Sequence, residues 1–145
     1  YEYDVEQFIG EIYHAEQADG AQLKIKHYKQ ALKLYQGPFL PEGEETWIIL
    51  ERQKMQVQFI SAMLKMGELY IEIEDYPHAL GVVQQALNYE PCMEEAHRLG
   101  MTIYSLMGNR TGVIRQYEIC RQALMEEMHI DPSSLTQDLF RKLTK

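Results

Sequence analysis

The sequence predicts an all-α protein built as an array of antiparallel helix pairs, with about seven helices in all. Apolar residues recur at steps of three and four along most of the chain, as they do on one face of a helix. The sequence has no sustained apolar–polar alternation of the kind that predicts a half-buried strand. In addition, one pattern occurs twice in the middle of the chain at a separation of 34 residues, which is a period of stacked helix pairs.

The repeated pattern follows the tetratricopeptide consensus in residue type and spacing. The first copy consists of Met63, Met66, Gly67, Tyr70, Ala79, Val83, Ala86 and Pro91. The second, less faithful copy consists of His97, Gly100, Met101, Tyr104, Val113, Tyr117 and Cys120. A helix pair of this length cannot bury its apolar face alone, so we expect neighbouring pairs to stack. The predicted architecture is therefore tetratricopeptide-like, with Gly67 and Gly100 placed where paired helices approach closely.

Residues 1–35 predict a degenerate helix pair. The first helix is indicated by Val5, Phe8, Ile9, Ile12 and Tyr13, with Asp4 as its N-cap. The second helix is indicated by Leu23, Tyr28, Ala31, Leu32 and Tyr35. Residues 36–46 contain two prolines and two glycines, which interrupt helices, yet they also contain the apolar Phe39 and Leu40. We therefore predict a packed loop over this stretch rather than a free one.

The rest of the chain predicts two repeats and a capping helix. The first clear repeat covers residues 47–91 and begins with an extended helix from Trp47 to Ile73. This helix has two adjacent apolar rows, so we expect it to contact more than one neighbouring helix. The rows are Phe59, Met63, Met66, Tyr70 and Ile73, and Leu50, Val57, Leu64 and Ile71. Its second helix has Asp75 as N-cap and Pro77 in the first turn. The second repeat covers 92–132 and turns at Gly108, with Asn109 as the next N-cap. A final helix over 133–145 is indicated by Leu135, Leu139, Phe140 and Leu143.

Composition restricts the classes of function. The chain carries 14 basic and 22 acidic side chains, a net charge of −8, and shows no stripe of Lys and Arg. We therefore expect no direct contact with nucleic acid. No apolar run approaches the roughly 20 residues that span a bilayer, so no membrane association is predicted. Cys92 and Cys120 form neither a CxxC pair nor a metal-binding spacing, which favours a reducing, cytoplasmic location.

The chain also starts without an initiator Met or a signal peptide. On this basis we interpret residues 1–145 as a single domain excised from a longer protein.

Motifs for catalysis are missing from the sequence. It contains no GxSxG, GxxxxGK[ST] or GxGxxG pattern, so we expect no catalytic residues, no cofactor and no enzyme activity. His97 with Glu94 and Glu95 suggests a metal site, but the spacing is not HExxH and the other histidines are scattered. The favoured interpretation places both glutamates in the first turn of a helix. His97 and Arg98 then pack or pair locally.

Several further motifs occur in a fixed order along nearly the whole chain. They are Ala31-Leu32-x-Leu34-Tyr35-x-Gly37-x-Phe39-Leu40, Trp47, Arg52, Ala79-Leu80, Glu90-Pro91-x-x-Glu94-x-Ala96-His97-Arg98, Met101, Tyr104, Gly108-Asn109-Arg110, Tyr117-Glu118-x-Cys120-Arg121-x-x-Leu124, Ile130-x-Pro132-Ser133 and Leu139. This ordered set resembles the bacterial transcriptional activator domain family. One departure is Gly112-Val113, where the family usually has Ala-Leu.

The resemblance implies a role. It implies a tetratricopeptide-like regulatory and protein-interaction module that lies behind a DNA-binding domain in activators of the antibiotic-pathway type. The implied partners are proteins: the activator's own DNA-binding domain, RNA polymerase or another protomer, which includes homo-oligomers. The alternative is a free-standing tetratricopeptide scaffold that binds a peptide or protein partner. Trp47 and the Phe39-Leu40 loop favour the first interpretation, because a generic scaffold needs no such insertion.

A candidate partner groove follows from the repeat pattern. Tetratricopeptide arrays that bind peptides present side chains of the first helix of each pair. In this chain those residues are Ser61, Glu68, Glu72, Glu95, Arg98, Thr102 and Ser105. Their mixed to acidic character favours a basic ligand segment. The alternative, that these are ordinary solvated helix faces, stays open at this point.

Overall fold

A computed structural model describes residues 2–34 and 45–145, with side chains from residue 5 onward. Over these residues the chain forms seven α-helices and no strand. They are α1 (Glu2–Gln17), α2 (Ala21–Leu34), α3 (Thr46–Glu72), α4 (Tyr76–Tyr89), α5 (Glu94–Leu106), α6 (Arg110–Met128) and α7 (Ser134–Leu143). The predicted all-α class is confirmed. The loop predicted over 36–46, with Phe39 and Leu40, lies outside the described residues except for its last two positions. These are Glu45, the N-cap of α3, and Thr46, its first residue.

The helices form two compact units, Tyr1–Ile73 and Glu74–Lys145. In the first unit α1 packs on α2, and α2 packs on α3. In the second unit α4 packs on α5, α5 on α6, and α7 on both α5 and α6. Short connections join α1 to α2, α4 to α5 and α5 to α6, as in antiparallel helix pairs. The predicted helix-pair array is therefore confirmed at the level of fold class. The predicted division into 1–35, 47–91, 92–132 and 133–145 stays a prediction.

Local sequence signals fix several helix ends. The Asp75 carboxylate accepts the backbone N–H of His78, and Pro77 lies in the first turn of α4. The Asn109 side chain accepts the N–H of Gly112 at 2.8 Å, after a turn in which Gly108 has φ +73°. Both predicted N-caps are confirmed. The predicted N-cap Asp4 is wrong, because α1 begins at Glu2 and so includes it.

The first unit buries fewer of its apolar side chains than the periodicity suggests. Phe8 and Ala15 are fully buried on α1, but Ile9 is 46% and Tyr13 59% exposed. One residue along a helix rotates a side chain by about 100°. The buried stripe that contains positions 8 and 15 therefore leaves the side chains at positions 9 and 13 outside the buried surface. The predicted second apolar row of α3 is likewise exposed at Leu50 and Val57, although Leu64 is buried.

The second unit is closely packed around α5 and α6. A Cβ on Gly100 would lie 3.2 Å from Cδ of Gln116, which confirms the predicted close approach at that glycine. The rings of Tyr117 and Phe140 stack at 4.0 Å between centroids and join α7 to α6. The predicted final helix is therefore confirmed, but Leu135 is exposed and does not share in its packing. Among the described helices, none combines the length and apolar character needed to cross a bilayer.

Candidate functional site

The predicted site residues on α3 form one polar face. Ser61, Glu68 and Glu72 lie at intervals of seven and four residues, so they share one side of the helix, and all three are exposed. Lys65 lies on the same side and its ammonium is 3.5 Å from the Glu16 carboxylate of α1. The face is therefore acidic, with one lysine already paired across to the neighbouring helix.

The predicted site residues on α5 also share one face. Glu95 is exposed, whereas Arg98, Thr102 and Ser105 are half-buried. Arg98 donates from Nη1 to the Thr136 hydroxyl of α7 at 3.0 Å, and its own carbonyl accepts the Thr102 hydroxyl at 3.0 Å. These contacts hold Arg98 against α7. That the α3 and α5 faces bind a partner, and that they form one groove, stay predictions.

Glu94 connects α5 to α7. Its Oε1 accepts the Ser133 backbone N–H at 2.9 Å, the Ser133 hydroxyl at 3.0 Å and the Thr136 hydroxyl at 2.7 Å. Burial raises the pKa of Glu94, but the bonds from Thr136 and Ser133, with the charge of Arg98, hold it below its usual value. The carboxylate thus stays ionised at the N-terminus of α7, where negative charge is favourable.

The sequence placed Glu94 correctly in the first turn of α5 but gave no sign of this role. Glu94 and Ser133 are 39 residues apart. The one available signal is the Ser-x-x-Thr spacing of Ser133 and Thr136, which supplies two hydroxyl groups on one turn.

His97 occupies the centre of the second unit. It is 1% exposed, and its Nε2–H donates to the Pro91 carbonyl at 2.7 Å, since a carbonyl can only accept. Nδ1 must then accept the Gln116 amide N–H at 2.8 Å. Burial lowers the pKa of His97 and outweighs the opposing effects of the Pro91 carbonyl and Glu94. His97 therefore serves as a neutral bridge between the α4–α5 connection and α6. Its predicted packing is confirmed, but the partner Gln116 is not local, since it lies 19 residues away.

Neither cysteine is activated for chemistry. Cys92 donates its S–H to the Ala123 carbonyl, and Cys120 is fully buried. Burial raises the pKa of the Cys120 thiol to about 12 and that of Cys92 above its usual value. Both therefore stay protonated near neutral pH. Across residues 2–34 and 45–145, no three His, Cys, Asp or Glu side chains are grouped so as to hold a metal ion.

A basic face on α2 was missed by the sequence analysis. Lys26, Lys29 and Lys33 lie at i, i+3 and i+7, and α2 contains no carboxylate. The Lys29 ammonium lies 5.8 Å from the centroid of the Tyr70 ring, a cation–π distance. The statement that the chain has no stripe of Lys and Arg is therefore wrong. The net charge of the whole chain does not indicate this basic face, because the lysines lie on one short helix of an acidic chain.

The chain is similar to a known family of proteins. The family model described as bacterial transcriptional activator domain matches residues 3–144. No curated protein and no solved structure matches the chain.

Proposed function

The chain belongs to the bacterial transcriptional activator domain family, and we propose that it is the regulatory, protein-contacting module of a transcription activator. It acts through contact with the activator's own DNA-binding domain, another protomer or RNA polymerase, and carries out no catalysis. The family match over residues 3–144 carries this proposal. It covers every described helix, so the proposal concerns the whole array and not one motif.

Charge supports a protein contact of this kind. The chain has a net charge of −8, and Glu68, Glu72 and Glu95 are exposed on the predicted partner faces. A DNA-binding domain is basic where it contacts phosphates. Complementary charge steers such partners together and fixes their orientation more than it adds raw affinity. A DNA-binding segment elsewhere in the same protein would supply the positive charge that this chain lacks.

Hydrogen bonds to α6 and α7 hold the predicted partner face of α5 in one position. Glu94 and Arg98 tie α5 to α7, and His97 ties α5 to Gln116 of α6. Buried polar groups that are fully hydrogen-bonded favour one arrangement of a core over competing ones. The α5 face is therefore held in place before a partner arrives, which lowers the entropy cost of association.

The first test is made in the parent gene. Deleting residues 3–144 in frame should abolish activated transcription from the promoter that the parent regulates, measured with a reporter. Promoter occupancy by the remaining protein is measured in parallel, so that loss of activation is separated from loss of DNA binding. Unchanged activation after the deletion contradicts the proposal. A parent protein without any DNA-binding segment also contradicts it, and leaves the scaffold alternative.

A second test concerns the predicted faces. Charge reversal at Glu68 and Glu72 together should lower activation several-fold, because both side chains are exposed and their loss leaves the core intact. Charge reversal at Glu126 and Glu127 on α6 is the matched control, since it changes the net charge by the same amount at exposed positions outside the predicted faces. Equal effects from both changes would point to net charge and remove the assignment of the face.

A further inference from the structure

The basic face of α2 carries three positive charges within a short distance. Lys26, Lys29 and Lys33 share one side of the helix, and all three are exposed. With the exposed Gln22 and Gln30 they line a surface depression of about 440 Å³. The described lining of this depression contains no carboxylate. From the first lysine to the last the helix rises by about 10 Å, so the positive charge is concentrated on two turns.

The charge of this face is not neutralised within the described part of the chain. None of its three lysines forms an ion pair with a described carboxylate. The nearby carboxylates of α1 are paired elsewhere, Glu11 with His27 at 2.9 Å and Glu16 with Lys65 at 3.5 Å. The basic face of α2 therefore differs from the other charged surfaces of the first unit, because its cations await an anion from outside.

One of the three cations is held by an aromatic ring. The Lys29 ammonium lies 5.8 Å from the ring centroid of Tyr70, a residue of α3 that is 5% exposed. A cation–π contact restricts the long lysine side chain and leaves its N–H donors available to oxygen acceptors. Restriction before binding lowers the entropy cost of association. The contact therefore prepares Lys29 to donate to a carboxylate.

The surroundings of the face favour a short peptide segment over a nucleic acid. The whole chain has a net charge of −8, which repels a long polyanion that extends beyond α2. A segment with two or three carboxylates remains over the lysines and avoids that repulsion. The amides of Gln22 and Gln30 both donate and accept hydrogen bonds. They thus match the C=O and N–H groups of a peptide backbone, whereas a DNA backbone offers acceptors only.

We propose that the basic face of α2 binds an acidic segment of a protein partner. Two or three Asp or Glu side chains of the segment pair with Lys26, Lys29 and Lys33, and its backbone bonds to the amides of Gln22 and Gln30. The inference goes beyond the proposed function. It places a contact outside the predicted partner faces of α3 and α5, and it assigns to that contact a partner of opposite charge.

The test is an unbiased selection with the full 145-residue chain. A phage-displayed library of random peptides is selected for binding, and the enriched peptides are synthesised and measured by fluorescence anisotropy. The expected result is enrichment of peptides with two or three Asp or Glu residues close together. Replacing these with Asn or Gln should weaken binding at least tenfold, and added salt should weaken it several-fold.

Variants locate the binding site. The triple substitution Lys26→Gln, Lys29→Gln and Lys33→Gln should weaken an enriched peptide at least tenfold. Glutamine keeps a long polar side chain at each exposed position, and circular dichroism establishes that the variant remains folded. A matched control removes the same total charge at three other exposed lysines and should change affinity less than twofold. Its substitutions are Lys54→Gln, Lys142→Gln and Lys145→Gln.

Four outcomes would overturn the inference. The first two are a selection that does not enrich acidic peptides, and equal loss of affinity in the two triple variants, which would point to net charge alone. The third is tighter binding of a twelve-residue oligothymidylate than of the peptides to this face, which would make the ligand a nucleic acid. The fourth is self-association of the chain, measured by analytical ultracentrifugation, that the α2 variant abolishes, which would make the occupant a second copy.

The selection measures binding without transcription, so it is separate from the deletion test above. Loss of activation on deletion, with no acidic peptide selected, removes the assignment of the α2 face and leaves the proposed function. Unchanged activation on deletion removes the proposed function, whatever the peptides do.

Discussion

Buried side-chain hydrogen bonds join the helices of the second unit, whereas the described ion pairs between helices of the first unit lie closer to water. In the second unit His97 is 1% exposed and bridges to α6, and Thr136 is fully buried where it meets Glu94. In the first unit the His27–Glu11 pair of α1 and α2 has side chains that are 26% and 28% exposed. The pair of Lys65 with Glu16 has side chains that are 49% and 46% exposed.

This difference has consequences for stability. A polar group in a buried network must keep its partners, because a lone buried donor or acceptor costs about 1–3 kcal/mol. An exposed ion pair contributes little, since water replaces either partner. The second unit is therefore the more sensitive to single polar substitutions. Both units keep exposed apolar side chains, for example Ile9 and Val57 in the first and Leu106 and Leu135 in the second, so this exposure does not assign partner contact to either unit.

The largest effect is expected from removing the buried histidine. His97→Ala should lower the free energy of unfolding by about 2–4 kcal/mol, because it leaves a cavity and orphans both the Gln116 amide and the Pro91 carbonyl. The matched change in the first unit is His27→Ala, which should cost under about 1 kcal/mol. Urea unfolding followed by circular dichroism measures both. Equal costs would remove the distinction between the two units.

The next effect concerns the attachment of α7. Glu94→Ala should cost about 2 kcal/mol, because Ser133 and Thr136 lose the charged acceptor of three hydrogen bonds. Backbone amides of α7 should then exchange with solvent faster than those of α6. Glu95→Ala is the control, since it removes the same charge from the same helical turn at an exposed position. If both variants lose the same stability, the effect belongs to the helix dipole and not to α7.

Alanine substitutions at two glycines should change the free energy of unfolding by smaller amounts and in opposite directions. The one at Gly112 tests the packing of α5 on α6. A Cβ on Gly112 would lie 2.4 Å from Cδ1 of Tyr104, so Gly112→Ala should destabilise by about 1–2 kcal/mol. Gly81→Ala has no atom within 4 Å of the new Cβ and should stabilise α4 by up to about 1 kcal/mol. In a Tyr104→Ala background the Gly112 substitution should no longer destabilise. Unfolding midpoints of the four variants provide the measurement.

Gly112-Val113 is the departure from the resembled pattern noted in the sequence. In this chain the ring of Tyr104 leaves no room for a Cβ at Gly112. Val113, which stands where Leu is usual, is fully buried. A sequence can show that a small residue departs from a pattern, but the position of the opposing ring depends on the distance between two helices.

Local features were predictable because their causes lie within a few residues. The caps at Asp75 and Asn109 each bond a group three residues away, and the helical class follows from periodicity. Features that depend on how helices are placed were missed or wrong. Glu94 meets Ser133 across 39 residues, and the exposure of Tyr13 depends on which stripe of α1 faces α2. Of the predicted site, the residues that share each helix face could be predicted from the repeat spacing, but the hydrogen bond from Arg98 to Thr136 could not.

The smallest expected effect is a dependence of stability on pH that originates in the second unit. Burial lowers the pKa of His97 in the folded chain relative to its value near 6.5 in the unfolded chain. As the pH falls below 6.5 the unfolded state takes up a proton that the folded state does not, so stability is lost. The contribution of His97 to stability is fully present above pH 6.5 and decreases as the pH falls toward the pKa of His97 in the folded chain. Glu94 contributes in a separate pH range. Because folding lowers the pKa of Glu94, its contribution to stability is lost only as the pH falls below the usual pKa of 4.5.

Comparing His97→Gln with the wild type isolates the contribution of His97. The substitution removes the titrating ring but keeps a polar side chain beside Gln116, so the loss of stability between pH 7.5 and 5.5 should become shallower. His27→Gln, in the first unit, is the control for a partly exposed histidine. Urea unfolding at several pH values measures both slopes. A wild-type slope retained in His97→Gln but lost in His27→Gln would place the proton-linked stability in the first unit, and would reverse the comparison between the two units.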